Sequence, residues 1–157
     1  MAQQPVEYML KSKNYYFAQG FENAYQWAKA ETLALHPIDK PLSECRISFV
    51  TTAVPDGDIP KMKRVASHHL LSDMPQDFRT DELSWDKQAT HTRDRSSYIP
   101  HEALLTLLED GFIGSISNRF HFIPTEYSQK NTTNEDAPAI VRACVEDEVD
   151  VVILVPL

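Results

Sequence analysis

The chain is poor in cysteine and glycine, with 2 and 4 among 157 residues. No apolar run approaches the ~20 residues of a membrane-spanning helix. Cys45 and Cys144 belong to no Cys-x-x-Cys pair, which excludes a disulfide framework or a redox pair within these residues. Cys144 follows Ile140 by four positions on the apolar face of a predicted helix and reads as a buried, inert thiol. Cys45 starts a predicted strand and reads the same way. There is no Gly-x-Gly-x-x-Gly and no phosphate-binding Gly-Lys-Ser/Thr, so a nucleotide cofactor has no support. Basic residues are outnumbered, 15 Lys and Arg against 23 Asp and Glu, for a net charge of −8. That balance argues against nucleic acid and anionic membranes as partners. The segment Met1 to Glu7 lacks the basic flank and apolar core of a signal peptide, and a cytoplasmic protein is expected.

Metal sites fare no better. His68 and His69 are adjacent, their side chains diverge on a strand, and no carboxylate or cysteine cluster stands at ligand spacing. They read as solvated loop histidines, and no metal is expected. His101-Glu102 resembles the start of a His-Glu-x-x-His helix, but Leu105 occupies the second histidine position.

What is present points to an α/β domain. Residues 8–35 read as helical, with Tyr15, Tyr16, Phe17, Phe21, Tyr25 and Trp27 crowded together and a break at Gly20. Residues 1–40 are expected to form an N-terminal aromatic helical arm and connector, and 41–157 an α/β domain. Arg46 to Val54 is the first clear strand, ended by Pro55-Asp56-Gly57-Asp58. Residues 55–97 form a long polar stretch, a length that a compact domain rarely carries without a function or disorder. His101 to Asp110 is an amphipathic helix between Pro100 and Gly111. Phe112 to Ser117 is a short strand, which Phe120 to Ile123 either extends or leaves for the next loop. Asp136, followed by Pro138, opens another helix. Asp150 to Leu157 is an apolar run that predicts a strand buried on both faces of a parallel sheet.

Strands alternating with helices predict βαβ units, a Rossmann-like three-layer parallel sheet whose first half is seen here. In such sheets ligands bind just outside the carboxyl ends of the strands. Two segments offer candidate chemistry. Trp85 to Arg95 holds His91, Arg93, Asp94, Arg95 and Asp86 within eleven residues: an imidazole that moves protons near neutral pH, and guanidinium groups that bind a carboxylate through two parallel hydrogen bonds. The bland reading is a salt-bridged surface loop. Pro124 to Gln129, with Glu126 and Tyr127, follows a strand and is the second candidate.

The segments Lys40 to Ala53, Thr90-His91-Thr92-Arg93-Asp94, Ile99-Pro100, Glu109 to Ser115, Asp136-Ala137-Pro138 and Val149 to Pro156 together resemble the selenoprotein B family. Its members are subunits of the glycine, sarcosine, betaine and D-proline reductases and shorter relatives of unassigned function. The resemblance runs from about Tyr15 onward. It implies that the strand over Val149 to Val155 leads into a redox motif, selenocysteine or cysteine followed three residues later by cysteine. That group is therefore expected immediately after Leu157, and no cofactor within these residues. Selenocysteine is encoded by UGA, which a conventional reading takes as stop. The implied activity is reductive C–N cleavage of a small amine or amino acid by a selenolate or thiolate, reset by a thiol reductant. His91 and Asp94 would be catalytic, His91 as acid or base. Arg93 would hold a carboxylate, and Thr51, Thr52, Glu126 and Tyr127 would line the pocket floor. A homo-oligomer or an assembly with other reductase subunits is expected, the 157 residues alone being inactive. The alternative is a non-enzymatic α/β binding or subunit-interaction protein.

Overall fold

The structure, a computed structural model, describes residues 7–23, 26, 28–29, 36–55, 65–80, 91–125 and 128–157. The chain separates into two units, 1–35 and 36–157. In the first, helix α1 (Tyr8–Ala18) buries none of its residues. It is shorter than the sequence pattern predicts and gives way to Gly20 at φ 89°, a left-handed conformation that suits glycine. Tyr15 packs edge-on against Tyr16, and Tyr16 against Phe21. Tyr25 and Trp27 lie outside the described residues.

The second unit is mixed α/β with a mostly parallel central sheet. Its elements are β1 (Arg46–Thr51), β2 (Val54–Pro55), β3 (Ser67–Leu70), β4 (Phe78–Arg79), α2 (His101–Glu109), β5 (Ser115–Ile116), β6 (Arg119–Phe122), α3 (Gln129–Asn131), α4 (Ala137–Glu146) and β7 (Val151–Val155). β1 is the centre, buried from Ile47 to Thr51. On one side it pairs in parallel with β7 over its length, from Ile47↔Val151 to Thr51↔Val155. On the other it pairs in parallel first with β5 and then with β6. β3 adds antiparallel to β6. β2 and β4 form a separate antiparallel pair.

Alternation along β1 divides the core, because successive side chains leave a strand on opposite faces. Ile47 and Phe49 join Leu104, Ile99, Tyr98, Phe78 and Phe120 in one cluster. Val50 joins Ile140 and Cys144 of α4 in another. Asp150 sets the register of β7: its carboxylate accepts from the Arg46 amide at 2.7 Å, its own amide donates to the Arg46 carbonyl, and Lys40 lies 2.7 Å away. Those partners hold its carboxyl below the usual range.

Two glycines shape the link from α2 to β5. Gly111 sits past the end of α2 at φ 74°, as the pattern predicts. Gly114 passes so close to the Glu44–Cys45 backbone that a Cβ would stand 2.8 Å from the Glu44 carbonyl carbon. Its amide donates to the Cys45 carbonyl at 3.0 Å.

Several sequence expectations change. His68 and His69 are strand residues of β3, not loop residues, because Phe120 and His121 of β6 supply a paired edge that no local pattern announces. The helix expected from Asp136 is preceded by helical residues from Gln129, including a π-helical turn over Thr132–Asp136. β7 is parallel as expected but not buried on both faces. Val152 and Ile153 are each 36% exposed and Leu154 73%, because β7 has no strand partner beyond it among the described residues. No described helix is long and apolar enough to cross a membrane.

Candidate functional site

β1, β6 and β7 run in parallel, so their carboxyl ends lie at one edge of the sheet. Thr51 and Thr52 follow one another at the end of β1 and do different work. Thr51 is wholly buried; its hydroxyl donates to the Tyr98 carbonyl at 3.1 Å and accepts from the Ala53 amide at 3.1 Å. Thr52 Oγ1 accepts from the Leu157 amide at 2.8 Å and lies 3.4 Å from the Leu157 carbonyl oxygen. The end of β7 is thereby tied to the end of β1.

The polar loop reaches the same edge through Tyr98. The phenol is buried and donates to the Thr92 carbonyl at 3.2 Å, while the Thr92 hydroxyl lies 2.7 Å from that of Thr80. Burial raises the Tyr98 pKa above its ordinary value, so the hydroxyl keeps its proton and its role as donor. Phe78 of β4 packs edge-on against the Tyr98 ring at 6.2 Å. Between Thr92 and Tyr98 the chain makes one turn of 3₁₀-helix, Arg95–Ser97, capped by the Asp94 carboxylate accepting from the Ser96 amide at 3.1 Å. Arg95 lies 3.8 Å from Glu102.

Of the residues singled out from sequence, His91, Arg93 and Asp94 are exposed on this loop. Thr51 and Thr52 lie at the sheet edge to which the loop is tied. Glu126 and Tyr127 lie outside the described residues, as does Trp85 to Thr90. Sequence reasoning missed Tyr98, Thr92 and Thr80, the residues that hold the loop in place; a tyrosine before Ile99-Pro100 carries no signal of that role.

Neither cysteine joins these bonds. Cys45 precedes β1, at the opposite end of the sheet, and is fully buried. Cys144 Sγ lies 3.4 Å from His121 Nε2, and His121 Nδ1 lies 2.9 Å from His68 Nδ1. Burial pushes the Cys144 thiol up and His121 down to about 4, so both are neutral near pH 7. Cys144 is thus buried as expected, though hydrogen-bonded. Among the described residues no group of three or more His, Cys, Asp or Glu side chains is arranged to hold a metal.

Compared with protein-family models, with curated proteins and with solved structures, the chain finds no match in any of the three.

Proposed function

We propose that this chain is a subunit of a selenol- or thiol-dependent reductase that cleaves a C–N bond of a small amine or amino acid, with its site at the carboxyl edge of the sheet. The fold is read as a Rossmann-like three-layer sheet, since Leu104 of α2 and Ile140 of α4 belong to different core clusters either side of β1. The observation that carries the proposal is the chain Thr51–Tyr98–Thr92. It ties the loop bearing His91 and Arg93 to the edge where an open parallel sheet binds ligands. The selenoprotein B resemblance supplies the chemistry: a selenolate or thiolate nucleophile, which bound at this edge would attack the substrate and be reset by a thiol. Cys45, buried at the opposite end of the sheet, and Cys144, buried against His121 with its thiol pushed up, do not fit that part. Leu157, held by Thr52, is where the resemblance sets the nucleophile's approach.

The residues present suit the remaining tasks. His91 is exposed, where an imidazole could serve as acid or base toward a bound substrate, Arg93 offers a guanidinium to a substrate carboxylate, and Asp94 fixes the turn between them and Tyr98. Thr51 positions the loop through a hydroxyl already committed to protein partners. A second reading, a non-enzymatic α/β interaction protein, is favoured by the exposed apolar edge of Val152, Ile153 and Leu154.

The test is the reading frame of the gene beyond the Leu157 codon, followed by a dithiol-dependent reduction assay on its full product. An in-frame UGA followed by a nearby cysteine codon, with turnover of a small amine or amino acid, supports the reductase. A UAA stop at that point, with no dithiol-dependent turnover, would sink it and favour the interaction protein.

A further inference from the structure

His68 and His121 face each other across the antiparallel β3–β6 pair, in register. Their rings meet edge to face at 5.0 Å, with the two Nδ1 atoms 2.9 Å apart. The far nitrogen of His121 meets Cys144 Sγ at 3.4 Å. His68 is exposed, His121 is wholly buried and Cys144 is buried on α4. One line of hydrogen-bonding groups therefore runs from solvent to a buried thiol.

The hydrogens on this line can be counted. If the thiol donates to Nε2, a neutral His121 carries its hydrogen on Nδ1, donates to His68 Nδ1, and leaves His68 with a hydrogen on Nε2 toward solvent. One added proton is taken by the exposed His68, with the line reversed and the sulfur accepting. A second has no place. Either it sets two N–H groups head to head across 2.9 Å or it leaves His121 as a buried cation. Among the described residues the surroundings give that cation no free counter-charge. His69 stands beside it on β3, Arg119 on β6, and Arg142 and Glu146 on α4. Asp147, just past α4, is already bonded to Arg119 at 2.7 and 2.8 Å, with Ser117 as a further donor, and Glu146 is paired with Arg119 as well.

We infer that the His68–His121–Cys144 line is an acid-sensitive latch, which holds β3 on the sheet near neutral pH and releases it when both imidazoles are protonated. Once β3 is free both histidines titrate as ordinary imidazoles, so the open form binds more protons than the closed one and acid favours it. Release matters because β3 leads directly into residues 71–80. That segment carries Phe78 onto Tyr98 and Thr80 onto Thr92, so the latch governs the packing of the carboxyl edge. The position of His121, held near 4 by burial, keeps the latch shut at neutrality.

Amide hydrogen exchange of the 157-residue protein tests this across about pH 7 to 5, corrected for intrinsic rates. The expected result is that β3 amides exchange faster than those of the central strand β1 throughout and lose about tenfold or more of their protection on acidification, whereas β1 amides remain the most protected. In His121→Asn the loss in β3 should be clearly smaller, since Asn still donates to His68 but does not titrate, and what remains belongs to His68 and His69, which burial also holds below the ordinary imidazole value. Should that variant fail to fold, His68→Gln, at an exposed position, should still diminish the loss. Equal exchange of β3 and β1 at every pH, β3 protection indifferent to pH, or an undiminished loss in the variants would overturn the inference.

Discussion

Thr51 and Tyr98, 47 positions apart, are joined by a buried hydrogen bond of 3.1 Å from the threonine hydroxyl to the tyrosine carbonyl. This bond converts a polar loop into a wall of the sheet's carboxyl edge. Thr51→Val keeps the shape, but it deprives the Tyr98 carbonyl of its donor and the Ala53 amide of its acceptor. A loss of about 2 kcal/mol in urea unfolding is expected, with faster proteolysis in residues 91–98. Unchanged stability would mean that the loop is held by other contacts.

His91→Ala and Arg93→Ala separate chemistry from architecture. Both side chains are exposed, so stability should change by less than about 0.5 kcal/mol. In the full reductase, His91→Ala should lower turnover by roughly 10² or more if it moves a proton. Arg93→Ala should raise KM for a carboxylate-bearing substrate more than for a neutral analogue. Wild-type kinetics in both variants would leave the loop as a salt-bridged surface.

Stability should depend on pH through His121. Its folded pKa of about 4 lies below the ~6.5 of an unfolded imidazole, so the unfolded chain binds more protons between those values. The histidine's contribution is complete above ~6.5 and drains away as pH falls toward its folded pKa. Urea titrations should show a loss of about 2 kcal/mol or more from pH 7 to pH 5, reduced in His121→Asn to what His68 and His69, also lowered by burial, contribute. A flat profile over that range would show that His121 is not held neutral by burial.

Gly114→Ala should destabilise the domain by about 1–3 kcal/mol, because its methyl group would overlap the Glu44 backbone at 2.8 Å. Gly111→Ala, where nothing lies within 4 Å, should cost less and act through its left-handed φ of 74° alone. Thermal melts of the two variants make the comparison, and a larger loss at Gly111 would refute the close-approach argument.

The open edge of β7 should promote self-association of the 157-residue chain. Leu154 is 73% exposed on a strand with a free edge among the described residues, a combination that templates pairing. Light scattering should detect species larger than the monomer, reduced in Leu154→Lys. A monodisperse monomer at high concentration would count against it.

The sequence by itself determined the alternation of strands and helices, the parallel terminal strand and the end of α2. Each follows from local chemistry: the β-branched run of β1, the leucine spacing after Pro100, and a glycine at a left-handed turn. It offered Thr51, Thr52 and the His91–Asp94 loop as site candidates, the threonines through the family resemblance and the loop through its titratable and charged residues. Only the tertiary structure decided how the loop is held at the sheet's carboxyl edge, because Thr51 meets Tyr98, and Tyr98 meets Thr92, through contacts with no sequence period. The same holds for His68, His121 and Cys144. A residue pair 53 positions apart and a thiol 23 further on meet only once β3 has paired with β6 and α4 has packed on the sheet. Hydrophobic pattern reports which face a residue takes, not which polar group it will find there, and burial of that group then sets its charge.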